Sequence, residues 1–264
     1  MGMTAIYWSA ILVFFLFPIF WDGIPLSLSP MRLKDISDCS MDGSTLKVIA
    51  MACMLVDHAA FLFLPEGSPS CVALRTIGRI SFPVFALMVS EAYLHTTNRI
   101  RYALTLVFFA FVTDIPWMLV FGQGHNVLFT LLAGYMGICC LDTLLRAARL
   151  HGSFLRGLLH YPLAAVLLML LPLACLLLQT DFSYQGFLLV LCFHIFRGNL
   201  LMRMLFGLLI MSGEIIAGEV IAFTLLAFYN GERGFIKGRV AKYACYVFYP
   251  AHLLLLWCLK GLLL

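Results

Sequence analysis

One stretch of the sequence decides the fold: Lys47-Val-Ile-Ala-Met-Ala-Cys-Met-Leu-Val-Asp57-His58-Ala-Ala-Phe-Leu-Phe-Leu64. It is apolar enough to span a membrane, yet Asp57 and His58 stand side by side near its middle. A charged side chain at that depth costs about 2.5–3.5 kcal/mol on insertion scales, so ionisable groups there indicate a functional site. In a helix the two side chains project about 100° apart and cannot face each other, whereas Lys47 and His58 return to one face, about 16 Å apart along the axis. The structural alternative for His58 is a buried polar contact between helices.

The composition is that of a membrane protein. Of the 264 residues, 63% are hydrophobic and 11% are charged, and the mean hydropathy is +1.01. A soluble domain carries about 25% charged residues, so we predict an all-α fold, a polytopic transmembrane helix bundle. No stretch is long and polar enough to be a linker, which predicts a single integral membrane domain over residues 1–264.

The cysteines and the net charge give no indication of a disulfide framework, a metal site or a nucleic-acid partner. Nine cysteines are scattered, most of them in apolar runs, and no CxxC pair occurs. This pattern is typical of small buried side chains, so we expect no disulfide framework and no metal. The formal net charge of +4 is modest, and we expect membrane lipids rather than nucleic acid as partners. A small positive charge is what Lys- and Arg-rich cytoplasmic loops produce.

The apolar runs predict about nine membrane helices, within a range of eight to ten. Eight of these are expected at residues 5–21, 46–64, about 76–94, about 102–121, 127–145, about 161–179, about 185–196 and about 243–260. Residues 200–229 are mostly apolar but are interrupted near Gly213 and Gly218. They are too long for one ordinary span and too short for two full ones, and a hairpin of two short helices is favoured over a single span.

The distribution of Lys and Arg predicts the orientation. The loops after the first, third, fifth and seventh helices carry Arg32, Lys34, Arg99, Arg101, Arg146, Arg149, Arg156, Arg197 and Arg203. The loops after the second, fourth and sixth helices carry only Arg75. Basic loops stay in the cytoplasm, so the N-terminus is expected outside, Lys47 near the cytoplasmic face and His58 near the midplane. The basic loop 230–242 obeys the same rule only if residues 200–229 are a hairpin.

Arg79 is a second ionisable group inside an apolar run, on the expected outer side. It requires a carboxylate or a polar substrate as its partner. Asp57, Glu91 and Asp114 are the carboxylates in reach, and the sequence does not choose among them. A structural salt bridge and a role in binding substrate are both compatible with this position.

Other polar residues carry weaker indications. Arg99 and Arg101 lie at the expected cytoplasmic mouth, where they would bind a phosphorylated donor by charge-assisted hydrogen bonds or merely set the topology. Asn126 follows Gly-Gln-Gly and is most simply the N-cap of the fifth helix. His252, at the start of the last apolar stretch, is either structural or part of a site.

Five motifs in order resemble the TraX family. They are Leu46-Lys-Val-Ile-Ala-Met-Ala-Cys-Met-Leu-Val-Asp57-His58, Gly78-Arg79-Ile-Ser-Phe-Pro83-Val-Phe-Ala, Asn126-Val-Leu-Phe-Thr, Asp181-Phe-Ser-Tyr184-Gln-Gly186 and Phe248-Tyr249-Pro250-Ala-His252-Leu. The resemblance covers residues 46–264 and leaves residues 1–45, an N-terminal helix and a cytoplasmic loop, outside it.

The resemblance implies an acetyl-CoA-dependent acyltransferase of the bacterial inner membrane. TraX of conjugative plasmids is the N-terminal acetylase of F-type pilin, and the family is similar to membrane acyltransferases that take acetyl-coenzyme A from the cytoplasm. By this resemblance His58 is the catalytic base and Asp57 its neighbouring acid. Arg99, Arg101 and Lys47 are then expected to hold the coenzyme A phosphates.

The same resemblance suggests the acceptor side. Arg79, Asn126, Tyr184 and His252 are the residues expected to bind the acceptor. That acceptor is expected to be an amine or hydroxyl of a membrane-associated peptide, such as a pilin N-terminus, or of a surface glycan. No metal is implied for this chemistry.

Two other classes of function stay open from the sequence. A proton-coupled small-molecule transporter would also place acids and arginines in the membrane, but it would move its substrate without coenzyme A. A non-catalytic assembly factor of a conjugation or surface system would need only packing, so replacing His58 would then have no effect.

Overall fold

The computed structural model describes residues 40–212 and 216–263, which are helical apart from connections and two isolated β-bridges. The helix expected at 5–21 and the basic residues Arg32 and Lys34 lie outside the described residues. Numbered in chain order, the described helices are α1 (Gly43–Phe63), α2 (Pro69–Gly78), α3 (Ser81–His95), α4 (Arg99–Phe121), α5 (Val127–His151), α6 (Phe154–His160), α7 (Pro162–Leu177), α8 (Ser183–Ile195), α9 (Leu200–Ile210), α10 (Ile216–Ala227) and α11 (Gly238–Leu263).

Five helical segments among the described residues are long and apolar enough to cross a membrane. They are α1, the pair α2 and α3 taken together over Pro69–His95, α4, α5 and α11. Helices α7 to α10 are apolar but shorter, with 10–17 residues. The all-α architecture is therefore confirmed, whereas the expected number of about nine membrane helices is not and stays a prediction.

Several helices begin earlier than we predicted. Helix α2 begins at Pro69, where the Ser68 side chain accepts a hydrogen bond from a first-turn amide. Proline is well tolerated there because a first-turn amide has no partner within the helix. Helix α11 begins at Gly238, so Lys242 lies on a helix and not in the basic loop to which we had assigned it.

A proline explains why the span Pro69–His95 is broken into two helices. Pro83 has no amide hydrogen, and its ring would clash with the carbonyl of Arg79, four residues earlier. The break falls at Arg79 and the residue after it, and the Ser81 hydroxyl donates to the Gly78 carbonyl (2.8 Å) across the break. The motif from Gly78 to Pro83 therefore places an arginine at an interruption within an apolar span.

Residues 200–229 form two short helices, α9 and α10, as the charge pattern favoured. Gly207 of α9 lies so close to α10 that an added Cβ would be 2.2 Å from the Phe223 ring. After α10 the chain returns to the start of α1, where Tyr229 bridges to Met41. The basic residues after Tyr229 therefore lie at the same end of the bundle as Lys47, as the charge rule requires.

Helix α5 is central, and α3, α4, α6, α7 and α8 pack against it. Its closest approach is to α8: a Cβ added at Gly134 would lie 2.7 Å from Val190, and one added at Gly137 would lie 2.6 Å from the Phe187 ring. Small residues allow such contacts between membrane helices, where van der Waals packing replaces the hydrophobic effect as the driving force.

A polar cluster joins three of these helices in the bundle. Asp142 of α5 accepts a hydrogen bond from the Tyr93 hydroxyl of α3 (2.8 Å) and lies 3.1 Å from His194 Nε2 of α8. Arg146, one turn along α5, approaches the same carboxylate at 3.7 Å. Tyr93 and His194 are buried, so water cannot replace the carboxylate if it is removed.

We predict that Asp142→Ala lowers the free energy of unfolding by about 2–3 kcal/mol, because a hydrogen bond to a charged group contributes about 1.5–3 kcal/mol and two buried partners lose one. Unfolding of the purified protein in detergent measures this change. Arg146→Ala is the matched control, since it removes only the more exposed ion pair, worth about 0–1 kcal/mol. Equal losses in the two variants would contradict the structural role of the buried cluster.

Candidate active site

Two histidines that are distant in the sequence meet in the bundle. His58 Nδ1 of α1 lies 2.8 Å from His252 Nε2 of α11, across a separation of 194 residues. The two rings are nearly parallel, at 4°, with their centroids 5.0 Å apart. Both residues are buried, with 6% and 4% of their surface exposed. We call this contact the histidine pair.

The hydrogen bonds assign the tautomers of the two rings when both are neutral. His252 Nδ1 lies 2.9 Å from the Phe248 carbonyl oxygen, which can only accept, so Nδ1 carries the hydrogen. His252 Nε2 is then an acceptor, and His58 Nδ1 donates to it. His58 Nε2 is left unprotonated, with no hydrogen-bond partner among the described residues. An unprotonated imidazole nitrogen is what a general base needs.

Aromatic rings enclose His58 at one end of the bundle. The centroids of Trp117 and Phe121 lie 6.3 Å and 5.4 Å from that of His58, edge-on, and Tyr249 lies nearly parallel at 6.2 Å. His58 is five residues before the end of α1, and Trp117 and Phe121 belong to the last turns of α4. His58 therefore lies nearer the C-terminal end of its helix than the midplane position that we expected.

His58 lines a cavity of about 590 Å³, which we call the outer cavity because it lies at the end of the bundle that is predicted to face outward. Aromatic side chains form part of its wall, among them Phe61, Phe82, Trp117, Phe121 and Phe182. Apart from His58 and Tyr249, its charged and polar lining residues are Asp57, Arg75, Arg79, Ser81, Gln123, Gln179, Thr180 and Asp181. This mixture offers a ligand both apolar contacts and polar binding groups.

Asp57 faces Arg75 and not the histidine beside it. Asp57 Oδ1 lies 3.7 Å from Arg75 Nε, and it makes no hydrogen bond within the part of the chain that is described. Helix α2 comes this close because of Gly78, where an added Cβ would lie 2.3 Å from Asp57 Cβ. The Asp57 carboxylate therefore contributes to the cavity wall as one half of an ion pair with Arg75.

Arg79 places a second cation in the outer cavity. Its guanidinium lies 5.6 Å from the centroid of the Phe182 ring, and its charge acts on Asp57, Asp181 and Glu219. Asp181 lies in the connection between α7 and α8, where burial raises the pKa of its carboxyl to about 6, against the opposing influence of Arg79. The cavity thus brings two arginines together with carboxylates.

Of the three carboxylates expected as partners of Arg79, two pair with histidines instead. Glu91 lies 3.5 Å from His95 Nε2, and Asp114 lies 2.8 Å from His125 Nδ1. Asp57 remains near Arg79, although its closer cation is Arg75 on the preceding turn.

A second cavity of about 580 Å³, which we call the inner cavity, lies at the basic end of the bundle. Lys47, Arg233 and Lys242 line it close to the starts of α1 and α11, and Glu91 and His95 also contribute. Deeper within, the lining is apolar and rich in methionine and aromatic rings. Cations at the mouth and an apolar interior suit a ligand with an anionic head and an uncharged tail.

Four side chains line both cavities: Met54, Phe85, Val127 and Tyr249. Met54 and Tyr249 each lie one helical turn before the histidine of their own helix, so they form the layer directly below the histidine pair. Tyr249 of α11 lies close to the Val127 backbone at the start of α5. We call these four residues the partition.

The structure places the three residues expected to bind coenzyme A differently from one another. Lys47 lines the inner cavity. Arg99 lies with its guanidinium carbon 4.2 Å from the centroid of the Tyr93 ring, and Arg101 lines a shallow groove beside α4. Neither arginine is among the residues that line the inner cavity, although Arg101 is close enough to act electrostatically on Lys242.

Three residues expected to bind the acceptor do not line the outer cavity. Asn126 is fully buried and caps α5, as predicted: its Oδ1 accepts from Leu128 N (3.1 Å) and its Nδ2 donates to the Ala110 carbonyl (2.8 Å). Tyr184 packs against the hydrophobic core, and His252 lies behind His58. Direct contact of these three with an acceptor stays a prediction, whereas Arg79 does line the cavity.

No group of three or more His, Cys, Asp and Glu side chains in residues 40–212 and 216–263 is placed to hold a metal ion.

Sequence reasoning missed Lys242, Arg233 and Tyr249. The signal for two of them was present, because Lys242, Tyr249 and His252 recur at spacings of seven and three residues, which places them on one face of a helix. Starting the last helix at residue 243 hid this stripe. Arg233 comes from a connection that folds back against the start of α1, where the Ser44 hydroxyl donates to its carbonyl (2.7 Å).

Comparison with known proteins identifies the family. The chain matches the family described as "TraX protein" over residues 42–260. It is 30% identical over 246 residues to "Probable fimbrial assembly protein FimC, serogroup H1" of Dichelobacter nodosus, an alignment that covers 81% of this chain and 94% of that protein. No solved structure matches. Since the family match includes both cavities and the histidine pair, the protein belongs to the TraX family.

Proposed function

We propose that this protein is an acyltransferase embedded in the bacterial inner membrane by about nine helices. It transfers an acetyl group from cytoplasmic acetyl-coenzyme A to an amine or hydroxyl on the outer side. The observation that supports this most directly is the arrangement of the two cavities, which meet at the partition one helical turn from His58. A donor and an acceptor from opposite sides can reach one another there without either crossing the membrane.

The inner cavity is the donor site in this proposal. Lys47, Arg233 and Lys242 bind the phosphates of coenzyme A by charge-assisted hydrogen bonds, with Arg99 and Arg101 contributing to the positive field at the same end. The uncharged arm of the donor occupies the apolar interior. Its thioester then arrives at the partition, since Lys47 and His58 lie about 16 Å apart along α1.

The histidine pair supplies the base. His58 Nε2 takes the proton of the acceptor amine or hydroxyl while the acceptor atom attacks the thioester carbonyl carbon. The new carbon–nitrogen or carbon–oxygen bond forms, the carbon–sulfur bond breaks, and the thiolate leaves and recovers a proton. The hydrogen bond from His58 Nδ1 to His252 keeps the reactive nitrogen unprotonated beforehand and spreads the positive charge that His58 gains.

The outer cavity binds the acceptor. The carboxylates of Asp57 and Asp181 suit a hydrogen-bond donor or an amine, and Arg79 suits a carbonyl or carboxylate next to it. These groups fit a peptide N-terminus, and a glycan hydroxyl remains the other acceptor class. The curated relative supports a surface-fibre context, because it is described as a probable fimbrial assembly protein.

A role in assembling fimbriae without catalysis is the second function that an observation favours, namely the description of that relative. Such a role requires only the fold and its surfaces. The two proposals differ at the histidine pair, which an assembly factor would not use.

We predict that acetyl-coenzyme A stabilises the purified protein against thermal unfolding in detergent. A ligand at 100 times its dissociation constant stabilises by about 2.7 kcal/mol. Lys47→Ala/Lys242→Ala should remove most of this effect, because both residues line the inner cavity. Arg99→Ala/Arg101→Ala should weaken it less, because neither residue lines that cavity.

Arg149→Ala/Arg156→Ala is the matched control for this experiment. It removes the same charge from the same end of the bundle, but neither residue lines a described cavity. If folded wild-type protein shows no shift with millimolar acetyl-coenzyme A, the donor proposal is wrong. A similar loss in all three double variants would mean that the net positive charge, and not the inner cavity, attracts the ligand.

We predict that His58→Ala lowers the rate of acetyl transfer by about 10²- to 10⁴-fold, the usual contribution of a general base. His252→Gln should retain much of the rate, because the Gln amide can accept from His58 and donate to the Phe248 carbonyl. His252→Phe fills the same space but makes neither hydrogen bond, so it should lower the rate of transfer more than His252→Gln does. Transfer of labelled acetyl to a peptide with a free N-terminus, with protein in vesicles, provides the measurement.

The His58→Ala variant separates the two proposed functions. A rate of transfer that is unchanged in His58→Ala would remove the base assignment. Wild-type fimbrial assembly in cells that carry His58→Ala would favour the non-catalytic role.

A further inference from the structure

The partition is the layer of four side chains that lines both cavities. None of the four is charged, whereas each cavity has charged residues elsewhere in its lining. Met54, Phe85 and Val127 have apolar side chains, and Tyr249 adds an aromatic ring with a hydroxyl. Met54, Val127 and Tyr249 are at most 7% exposed. Three of the four side chains are therefore closely packed, so adding or removing one methylene group there changes the packing energy.

The position of the partition matters most for the acyl group of the donor. If the donor enters through the inner cavity and reacts at His58, its acyl group is the leading end and reaches the layer of Met54 and Tyr249 first. Tyr249 of α11 and Val127 of α5 both contribute to this layer, so it is formed by more than one helix. Phe85, from α3, contributes the remaining aromatic side chain.

We propose that Met54, Phe85, Val127 and Tyr249 are specificity-determining residues that limit the acyl group of the donor to a short chain, an inference that rests on the proposed acyltransferase function. The ligand class is a coenzyme A thioester whose acyl chain is seated at the partition. The four side chains leave room for an acetyl group and exclude longer chains by contact.

The selectivity of hydrophobic pockets in general gives the expected size of the preference for acetyl over longer acyl chains. One extra methylene in a hydrophobic pocket changes selectivity by about 10- to 200-fold. Two extra methylenes, as in a butyryl group, should therefore be rejected at least ten-fold relative to acetyl. Removing a partition ring should relax that ratio, and enlarging a small partition residue should sharpen it.

The test is to measure the dissociation constants of free coenzyme A and of its acetyl, butyryl and hexanoyl thioesters for the full chain in detergent. Binding needs no acceptor, so the unidentified acceptor does not enter. Wild-type protein should bind the acetyl thioester at least ten-fold more tightly than the butyryl thioester. Phe85→Ala should reduce this ratio at least ten-fold, whereas Val127→Leu should increase it.

Phe111→Ala is the matched control, because it removes the same ring from a side chain that is 63% exposed on the outer face of α4. Its affinities should equal those of wild-type protein. Val127→Leu provides a second test in case Phe85→Ala does not fold, and binding of free coenzyme A shows that each variant retains the donor site.

The outcomes separate this inference from the function on which it rests. If neither coenzyme A nor any thioester binds folded wild-type protein, the proposed function fails and the inference fails with it. If the thioesters bind but the acetyl-to-butyryl ratio is the same in wild type, Phe85→Ala and Val127→Leu, the inference is overturned while the donor site stands.

Discussion

A single hydrogen bond between His58 and His252 organises the chemistry of this bundle. Each imidazole in a membrane interior needs a polar partner, because water is not there to provide one. Here each ring satisfies the other, and the chain of bonds ends on the Phe248 carbonyl. Because the Phe248 carbonyl can only accept, His252 must donate to it and accept from His58. The tautomer of the His58 ring follows from that direction. A backbone acceptor thus fixes the orientation of His252 without adding a charge to the membrane interior.

Interruptions of regular structure account for most of the polar surface near this pair. Pro83 breaks a span at Arg79, and Gly78 lets the preceding helix bring Arg75 against Asp57. Both arginines consequently lie in the same cavity as a carboxylate, where the cost of burying each charge is partly offset by the others. The basic end of the bundle is built differently: its cations come from the first turns of two helices and from a connection, where they remain close to water. The two cavities therefore differ in polarity because a break within a span supplies charged groups to the outer one, whereas helix starts and a connection supply them to the inner one.

The helical architecture was predictable from hydropathy, and the hairpin at 200–229 from its length and flanking charges. The candidate site was predictable in part. His58, Asp57, Arg79 and Lys47 stand out because ionisable groups in apolar runs are rare, and all four line a cavity. Arg233 did not stand out, because its place depends on how a connection folds back on α1. The contact between His58 and His252 could not be derived either, since nothing local in the sequence specifies which helix of a bundle lies beside α1.

The location of His252 on α11 has a consequence for biosynthesis. Helix α11 leaves the ribosome after every other described helix, and it packs against α1 and α4, on which His58 and Trp117 lie. A nascent chain that has inserted only as far as α10 contains His58 without its partner and two cavities that lack one wall. Both deficits are removed in one step, when the last of the described helices packs against α1 and α4. A chain that ends before residue 238 would keep both of them.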